Sequence, residues 1–279
     1  MEINKNKIVV ENSNFNALDT LQCGQIFNYK ILDDGTIYVV SGQNFAKIVV
    51  EKQYTTIFSS NIDYFYNFFD FSTNYDRIKQ KLVEIYPMFD KYFAFGKNLR
   101  ILRQDKLQTI ISFIISSNNN IKRITKTLSL LCKDFGDKIK DDLFAFPTLK
   151  QLNKVTLEDF RKMGCGYRSE YLVKTIKLLN EKKFDFDILD KLSTNILREK
   201  LMTLYGVGRK VADCILFFGF SRPDVFPVDT WIRKAYKDFC DVPSSDKKIS
   251  EYFVSLFGNY SGYAQQYIYN FMLQGKSLK

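Results

Sequence analysis

The hydrophobic pattern of this chain changes its period part of the way along, and that change restricts the folds it can adopt. Two short β-branched runs, 37–40 and 46–50, are separated by the turn residues 41–44, and a second turn signal, 33–35, precedes them. Runs of this kind, bounded by glycine, asparagine and aspartate, predict antiparallel strands. The N-terminal region is therefore expected to form a small antiparallel β-sheet.

From about Asn74 onward, the apolar residues recur at helical spacing. The first such segments contain Ile78, Leu82, Ile85 and Phe89, and then Ile110, Phe113 and Ile114. Further helices are predicted at about residues 121–134, 169–181, 195–204, 209–219, 229–239, 246–257 and 262–274.

Strands followed by helices predict an α+β chain with segregated elements. We expect an N-terminal antiparallel sheet domain at residues 1–75 and an all-α domain at residues 76–279. No Gly/Ser linker marks the boundary, which lies between about 70 and 100.

The charge of the chain favours a polyanionic partner. Its 41 Lys and Arg residues against 31 Asp and Glu residues give a formal net charge of +10. A basic balance is typical of proteins that bind nucleic acid or an anionic membrane surface. Many soluble proteins are also moderately basic, and an AT-rich genome raises the lysine count, so charge alone leaves the partner open.

The sequence predicts neither a membrane span nor a secretory signal. The most apolar run, Cys214 to Phe220, is far shorter than the roughly 20 residues a spanning helix needs. The first residues contain no apolar core followed by a small-residue cleavage site. We therefore expect a cytoplasmic protein.

The cysteine and histidine content excludes several kinds of site. The five cysteines are scattered and no pair has C-x-x-C spacing, so we expect free thiols and no disulfide framework, zinc site or iron–sulfur cluster. The chain has no histidine, which excludes Ser-His-Asp, Cys-His and His-ligated metal chemistry. Lysine, carboxylate, tyrosine or cysteine must supply any nucleophile or base.

The segment Leu201 to Cys214 predicts two helices joined by a glycine turn. One helix is expected to end near Tyr205, Gly206-Val207-Gly208 to make the turn, and the next helix to begin near Arg209. Two glycines allow close approach to a phosphate, and the free amides and positive end of the second helix would face it. A plain helical hairpin with a glycine turn is the alternative.

The segment Phe226-Pro227-Val228-Asp229 follows, and Asp229 is nineteen residues after Lys210. The pattern L-x-x-L-x-G-V-G-x-K followed by P-V-D resembles the helix-hairpin-helix (HhH) DNA glycosylases, whose hairpin is followed by a Gly/Pro-rich loop and an aspartate (HhH-GPD). Taken singly, Lys210 could be a solvated helix residue and Asp229 an N-cap, a role it can also combine with catalysis. The resemblance implies a helical domain of two lobes with the active site in the cleft between them.

In that superfamily a lysine at the position of Lys210 marks members with a second, lyase activity. As the neutral amine it would attack C1′ of the nucleotide, expel the base and form a Schiff base that permits β-elimination of the 3′ phosphate. Asp229, as a carboxylate, would stabilise the positive charge that develops on the sugar and help to orient or deprotonate the amine.

Four further segments resemble the 8-oxoguanine DNA glycosylases, in consistent order along almost the whole chain. They are Leu21-Gln22-Cys23-Gly24-Gln25-Ile26-Phe27, Ile115-Ser116-Ser117-Asn118-Asn119-Asn120-Ile121-Lys122-Arg123-Ile124, Met163-Gly164-Cys165-Gly166-Tyr167-Arg168 and Tyr260-Ser261-Gly262-Tyr263-Ala264-Gln265. The resemblance implies a bifunctional 8-oxoguanine DNA glycosylase/AP lyase that acts on duplex DNA, with the sheet domain contributing to the base pocket.

The resemblance assigns residues to the base opposite the lesion. Asn118, Arg123 and Arg168 would contact the cytosine left unpaired when the lesion is flipped out, and Tyr167 would wedge into the vacated stack. The alternatives are a helix cap for the asparagines, solvated charges for the arginines and a core position for Tyr167.

The resemblance also assigns residues to the flipped base. The carbonyl of Gly24 would accept a hydrogen bond from N7–H of 8-oxoguanine; guanine has a lone pair there, and the mismatch would cost about 1–3 kcal/mol. Gln265 would bind the Watson–Crick edge, while Cys214, one turn after Lys210, and Tyr269 would lie against the two faces. The alternatives are an ordinary turn position for Gly24, an exposed amide for Gln265, and core positions for Cys214 and Tyr269.

Two positions depart from the family pattern. Trp231 stands where the animal enzymes have a histidine that contacts phosphate, and Tyr269 stands where they have phenylalanine. Contacts with the DNA backbone are expected at Gly206, Val207 and Gly208, and also at Trp231 in place of the histidine.

The resemblance implies no cofactor for the chemistry. The iron–sulfur branch of the superfamily needs four clustered cysteines near its C-terminus, and none follows Cys240. The carbonyls of Met202, Leu204 and Val207 are a candidate site for a structural cation that bridges to a phosphate. We expect a monomer, since one subunit can surround one flipped base.

Two other functions compete with this interpretation. A glycosylase of the same fold for alkylated bases typically lacks the lysine, so Lys210 and Gln265 argue against it. A catalytically silent DNA-binding protein would use the hairpin only for nonspecific backbone contact.

Overall fold

An antiparallel sheet forms the N-terminal part of the chain. The computed structural model describes residues 1–240 and 242–275, and its larger sheet has six strands in the order β1-β2-β6-β5-β4-β3. The strands are β1 Glu2–Ile3, β2 Lys7–Glu11, β3 Tyr29–Ile31, β4 Ile37–Ser41, β5 Asn44–Val50 and β6 Tyr54–Phe58. All neighbouring pairs are antiparallel, as the alternating β-branched runs predict.

A ladder of isoleucines holds the inner face of this sheet to its core. Ile8, Ile57, Ile48 and Ile37 lie side by side on four adjacent strands, and each is 1% exposed or less. Cross-strand neighbours on one face are the unit of sheet stability because their side chains pack directly. Two short helices pack beneath the ladder: α1 Ala17–Gln22 adds buried aliphatic residues, and α2 Ile62–Phe68 adds buried aromatic ones.

The rest of the described chain is mainly helical. The helices are α3 Tyr75–Ile85, α4 Lys106–Ser116, α5 Ile121–Phe135, α6 Leu149–Leu152, α7 Leu157–Lys162, α8 Arg168–Leu179, α9 Phe186–Leu189, α10 Thr194–Met202, α11 Arg209–Gly219, α12 Thr230–Tyr236, α13 Asp246–Phe257 and α14 Ser261–Gly275. Short 3-10 helices cover Pro87–Ala94, Lys182–Phe184 and Gly258–Tyr260, and a small hairpin pairs β7 Lys138–Lys140 with β8 Leu143–Phe144.

The predicted α+β class is confirmed, with local differences. The helical pattern through Phe89 is broken, because Pro87 cannot continue helix α3, and Phe89 lies in the 3-10 helix that follows. Helix α10 ends at Met202 rather than near Tyr205. The sequence did not predict strands β1, β2, β3 and β6, helices α1, α2, α6, α7 and α9, or the β7–β8 hairpin. The proposed division at residues 1–75 and 76–279 stays a prediction.

Buried polar side chains join the sheet region to the helices. The Nε2 of Gln25 donates to the carbonyls of Thr20 and Arg100, and its Oε1 accepts from the amide of Leu102. The Arg100 guanidinium in turn donates to the carbonyl of Asp70 at 2.7 Å. Since buried polar groups must be hydrogen-bonded, this network ties the loop around residue 24 to the segment that leads into α4.

No helix in the described residues is both long and apolar enough to cross a membrane.

A buried ion pair joins the two helices of the hairpin. The Nε of Arg198, on α10, lies 2.6 Å from Oδ1 of Asp213, on α11, and the two side chains are 8% and 1% exposed. Burial raises the pKa of Asp213 even though the charge of Arg198 opposes the shift. Breaking one side of such a pair leaves the other charge buried without compensation.

We predict that Asp213→Ala lowers the free energy of unfolding by about 3–5 kcal/mol, because it isolates the buried guanidinium of Arg198. The matched control is Asp246→Ala, which breaks the exposed pair with Arg233 (2.5 Å apart; 51% and 44% exposed) and should cost less than about 1 kcal/mol. Urea unfolding of both variants measures the difference. The double variant Arg198→Met/Asp213→Leu should recover most of the loss; no recovery would contradict the charge explanation.

Candidate active site

The turn between α10 and α11 requires glycine and leaves a helix end open. Gly206 has a φ of +79°, and a Cβ there would lie 2.9 Å from Cδ2 of Tyr171. Helix α11 begins at Arg209, and its N-cap, Gly208, supplies no side-chain hydrogen bond to the first turn. The first amides of α11, with the positive end of its dipole, are thus available to an anion.

Lys210 lies in this first turn and is partly buried. Its Nζ is 5.6 Å from the centroid of the Phe113 ring, which α4 contributes. The Lys210 side chain also donates a hydrogen bond to the thiol of Cys214, one turn later. Burial raises the pKa of Cys214 to about 11, against the opposing charge of Lys210, so the thiol stays protonated near neutral pH.

Asp229 caps helix α12. Its Oδ1 accepts hydrogen bonds from the amides of Trp231 and Ile232, both at 2.9 Å. Burial raises the pKa of Asp229, while these two amides and the charge of Lys210 oppose the shift. The capping alternative is therefore correct as a structural role, and the carboxylate also lies within electrostatic reach of the lysine.

Both groups line one cleft of about 760 Å³. Ten of the sequence-predicted site residues line it: Gly24, Asn118, Gly206, Gly208, Lys210, Cys214, Asp229, Trp231, Gln265 and Tyr269. Arg123, Tyr167, Arg168 and Val207 are outside this set of lining residues. A concave site of this size with converging polar groups is typical of a ligand pocket.

The loop at Gly24 meets helix α14 in the cleft. The Nε2 of Gln266 donates to the carbonyl of Cys23 at 2.8 Å and holds the loop against the helix. Gly24 has a φ of +77°, and a Cβ there would lie 2.9 Å from the hydroxyl oxygen of Tyr269. Both the backbone conformation and the close approach of Tyr269 therefore require glycine.

Gln265 presents an unpaired acceptor to the cleft. It is 5% exposed and lines the cleft, yet its Oε1 has no hydrogen-bond partner among the described residues. Buried polar atoms are nearly always paired, so this oxygen is available to a donor that enters the cleft.

The asparagine turn has mixed roles. Asn120 caps helix α5 by accepting from the amide of Arg123, while Asn118 has a φ of +47° and faces the cleft. Arg168 does not project into solvent: it is 6% exposed, and its guanidinium donates to the carbonyls of Ser117 and Asn118, the latter at 2.7 Å. In this structure Arg168 supports the asparagine turn, and its contact with an opposite cytosine stays a prediction.

Three further predicted residues, Tyr167, Arg123 and Trp231, are exposed or partly exposed, whereas Val207 is buried. Tyr167 is 55% exposed, with the Arg168 guanidinium 4.5 Å from its ring centroid. Arg123 is also exposed. Trp231 is partly exposed, and Nζ of Lys234 lies 5.0 Å from its ring centroid. Their predicted contacts with DNA are not tested by these positions.

The described residues contain no group of three or more His, Cys, Asp or Glu side chains that could hold a metal ion. The carbonyl of Leu204, one of the three predicted cation ligands, accepts a hydrogen bond from the amide of Val207 at 3.2 Å.

Sequence reasoning missed several residues that line this cleft, among them Phe113, Gln266 and Arg209. Phe113 follows a core-like helical pattern, and Gln266 has no local signal because its partner is 243 positions away. Arg209 lines the cleft with a buried Nε that has no hydrogen-bond partner within the described parts of the chain. Its place next to Lys210, after the glycine turn, was the one available signal.

The fold and the site together define a helix-hairpin-helix protein in which the hairpin is followed by a loop that ends at Asp229. An antiparallel sheet precedes the helical part. Residues 7–110 match the family model for the 8-oxoguanine DNA glycosylase N-terminal domain, and residues 111–258 match that for the HhH-GPD superfamily base excision DNA repair proteins. The chain therefore belongs to the HhH-GPD superfamily of base excision DNA repair proteins.

Individual proteins with similar sequences or folds are consistent with this family assignment. The chain is 35% identical to the N-glycosylase/DNA lyase OGG1 of Arabidopsis thaliana, over 66% of this chain and 54% of the relative, and 35% identical to the N-glycosylase/DNA lyase of Saccharomyces cerevisiae, over 58% and 48%. The chain thus spans about half the length of these relatives. Its fold matches the Clostridium acetobutylicum 8-oxoguanine glycosylase/lyase in complex with DNA containing cytosine opposite 8-oxoG, with a TM-score of 0.91, 30% identity and coverage of 99% and 98%.

We predict that Gly24→Ala lowers stability more than Gly35→Ala does. Both glycines have positive φ, +77° and +80°, but a Cβ at Gly35 meets nothing within 4 Å, whereas one at Gly24 meets Tyr269. Gly35→Ala should lower the free energy of unfolding only by the cost of holding an L residue at positive φ, about 1–2 kcal/mol. Gly24→Ala carries the same backbone cost and must also displace Tyr269. Urea unfolding measures both. The double variant Gly24→Ala/Tyr269→Phe should regain part of the excess, and equal costs for the two glycines would refute the steric argument.

We predict that Asp229→Asn is as stable as the wild type or more stable at neutral pH. Asparagine caps helices as well as aspartate, and it removes a carboxylate whose ionisation burial disfavours. Because the folded pKa is raised above 3.8, the wild type loses stability relative to the variant as pH rises from 3.8 through the folded pKa, and the full loss remains above it. Thermal unfolding across this range measures the difference; a variant that is less stable at neutral pH would contradict the prediction.

Proposed function

We propose that this chain is a bifunctional DNA glycosylase/AP lyase that excises 8-oxoguanine from duplex DNA and then cleaves the strand. The observation that carries the proposal is the shared cleft of Lys210 and Asp229, whose charges interact. A nucleophilic amine beside a buried carboxylate, next to an anion-binding helix end, is suited to attack at a sugar carbon.

Binding of the DNA backbone begins at the hairpin. The open first turn of α11, after Gly206, Val207 and Gly208, would accept a phosphate through its amides. Trp231 would pack beside the same strand. A structural cation held by the carbonyls of Met202, Leu204 and Val207 would bridge to that phosphate, and this site is part of the proposal.

The flipped base would be read in the cleft. The Gly24 carbonyl would accept from N7–H, which 8-oxoguanine has and guanine lacks, and the unpaired Oε1 of Gln265 would accept from a donor on the Watson–Crick edge. Cys214 and Tyr269 would contact the two faces of the base. Tyr167 would wedge into the space left by the base, and Asn118, Arg123 and Arg168 would contact the opposite cytosine.

The chemistry would proceed in two stages. The neutral amine of Lys210 attacks C1′, the bond from C1′ to the base breaks, and the base leaves with the electron pair and takes up a proton. Asp229 stabilises the positive charge on the sugar, and its raised pKa makes it a stronger proton acceptor than an ordinary aspartate. Ring opening gives the Schiff base, loss of a C2′ proton expels the 3′ phosphate, and water then releases the lysine.

The proposal requires no cofactor for these steps. A monomer and a cytoplasmic location remain predictions from the sequence.

We predict that Lys210→Gln abolishes the covalent adduct that the wild type forms with an 8-oxoguanine duplex in the presence of borohydride. The control, Lys234→Gln, removes an exposed lysine that lies 5.0 Å from the Trp231 ring and should leave the adduct intact. Denaturing electrophoresis detects the adduct. Duplex binding without any adduct in the wild type would indicate a silent DNA-binding protein, and adducts formed only with other damaged bases would overturn the proposed substrate.

A further inference from the structure

A row of alternating lysines and aromatic rings crosses the outer face of the N-terminal sheet. The register places Lys7 opposite Phe58, Phe58 opposite Lys47, Lys47 opposite Tyr38 and Tyr38 opposite Lys30. We call these five residues the lysine–aromatic row. It runs over five adjacent strands and faces away from the isoleucine ladder, because side chains alternate between the faces of a sheet.

The row is accessible to a partner. Phe58 is 39% exposed, Lys30 is exposed, and Lys7, Tyr38 and Lys47 are partly exposed. An additional lysine extends over it from the β7–β8 hairpin: Nζ of Lys140 lies 6.0 Å from the centroid of the Tyr38 ring.

The charge of the row is largely uncompensated. Within residues 1–240 and 242–275, no carboxylate lies within 4.0 Å of the ammonium groups of Lys7, Lys30 or Lys47. Asp34, in the β3–β4 turn, is a nearby acid: hydrogen bonds from Thr36 lower its pKa most, and the charge of Lys47 also contributes. The three lysines are thus available to an anion.

We propose that the lysine–aromatic row binds single-stranded DNA outside the catalytic cleft. Adjacent strands lie about 4.8 Å apart, so successive lysines are spaced by about 10 Å with one ring between them. A single strand presents bases that stack on aromatic rings and phosphates that pair with lysines, and both contacts are independent of sequence. The proposal goes beyond the excision reaction and does not depend on it.

Other partners fit this face less well. A membrane-binding face carries a continuous apolar surface flanked by cations, whereas here each of the two rings of the row, Phe58 and Tyr38, lies between two lysines. A second copy of the same face would bring lysine rows together and be repelled.

The test measures anisotropy of a fluorescein-labelled dT12 strand across a salt series. Phe58→Ala should weaken binding about tenfold, in the range for loss of one stacked base. Its matched control is Tyr54→Ala: Tyr54 is a 44% exposed ring on the same strand and face, but it lies opposite Glu11 instead of a lysine. Phe58→Leu, which keeps an apolar side chain without a ring, should weaken binding similarly and covers the case in which Phe58→Ala does not fold.

The contribution of the lysines is tested with two double variants that change the net charge by the same amount. Lys30→Glu/Lys47→Glu should lower the salt slope by about 1.4, since each phosphate contact on a single strand contributes about 0.7. Lys5→Glu/Lys52→Glu alters exposed lysines of the same sheet region that lie outside the row, and should change the slope little. An equal decrease of the salt slope in both double variants would overturn the proposal. So would an equal loss of dT12 affinity in Phe58→Ala and Tyr54→Ala.

Excision of 8-oxoguanine from a short blunt duplex, measured on the same variants, should change less than twofold. Failure of excision in the wild type would count against the proposed function alone, because dT12 binding is scored separately. Binding of phosphatidylserine vesicles that is lost in Phe58→Ala, with dT12 binding unchanged, would assign the row to a membrane and overturn the DNA proposal. Dimerisation lost in the same variant would assign it to a second copy.

Discussion

The candidate site depends on one electrostatic arrangement: a carboxylate held in a partly desolvated position close to a lysine. Asp229 is kept there by two amide hydrogen bonds at the start of α12, and burial raises its pKa against the effect of those amides and of Lys210. Such an arrangement costs stability at neutral pH, and that cost is typical of groups that are retained for chemistry. The surrounding helices position this pair.

Helix α11 connects the parts of the site. Its first turn provides open amides and Lys210, its second turn presents Cys214, and Asp213, which also lines the cleft, pairs with Arg198 of α10. The ion pair joins the two helices of the hairpin, so the amides and the amine are held in one rigid unit. A phosphate bound at the helix end would therefore be held at a fixed position relative to the amine of Lys210.

The sheet region contributes to the site through a single loop. The buried Gln25 network and the hydrogen bond from Gln266 to Cys23 hold Gly24 against Tyr269, and both residues line the cleft. The isoleucine ladder fixes the sheet that carries this loop, and the same strand register places the lysine–aromatic row on the opposite face. One register thus determines both the support of the cleft and a second, outward-facing surface.

The sequence by itself determined the features that depend on neighbours along the chain. Strand and helix periods, the glycine turn before Lys210 and the capping aspartate are local, so the α+β class could be predicted from them. The proposed pairing of Lys210 with Asp229 came from the resemblance of these local motifs to the HhH DNA glycosylases. Only the tertiary structure decided that Gln266 meets Cys23, that Phe113 lies beneath Lys210 and that Arg168 turns inward to the carbonyls of the asparagine turn. These contacts join segments 50 to 243 residues apart. They are set by helix packing and strand register, for which no single stretch of sequence carries a signal.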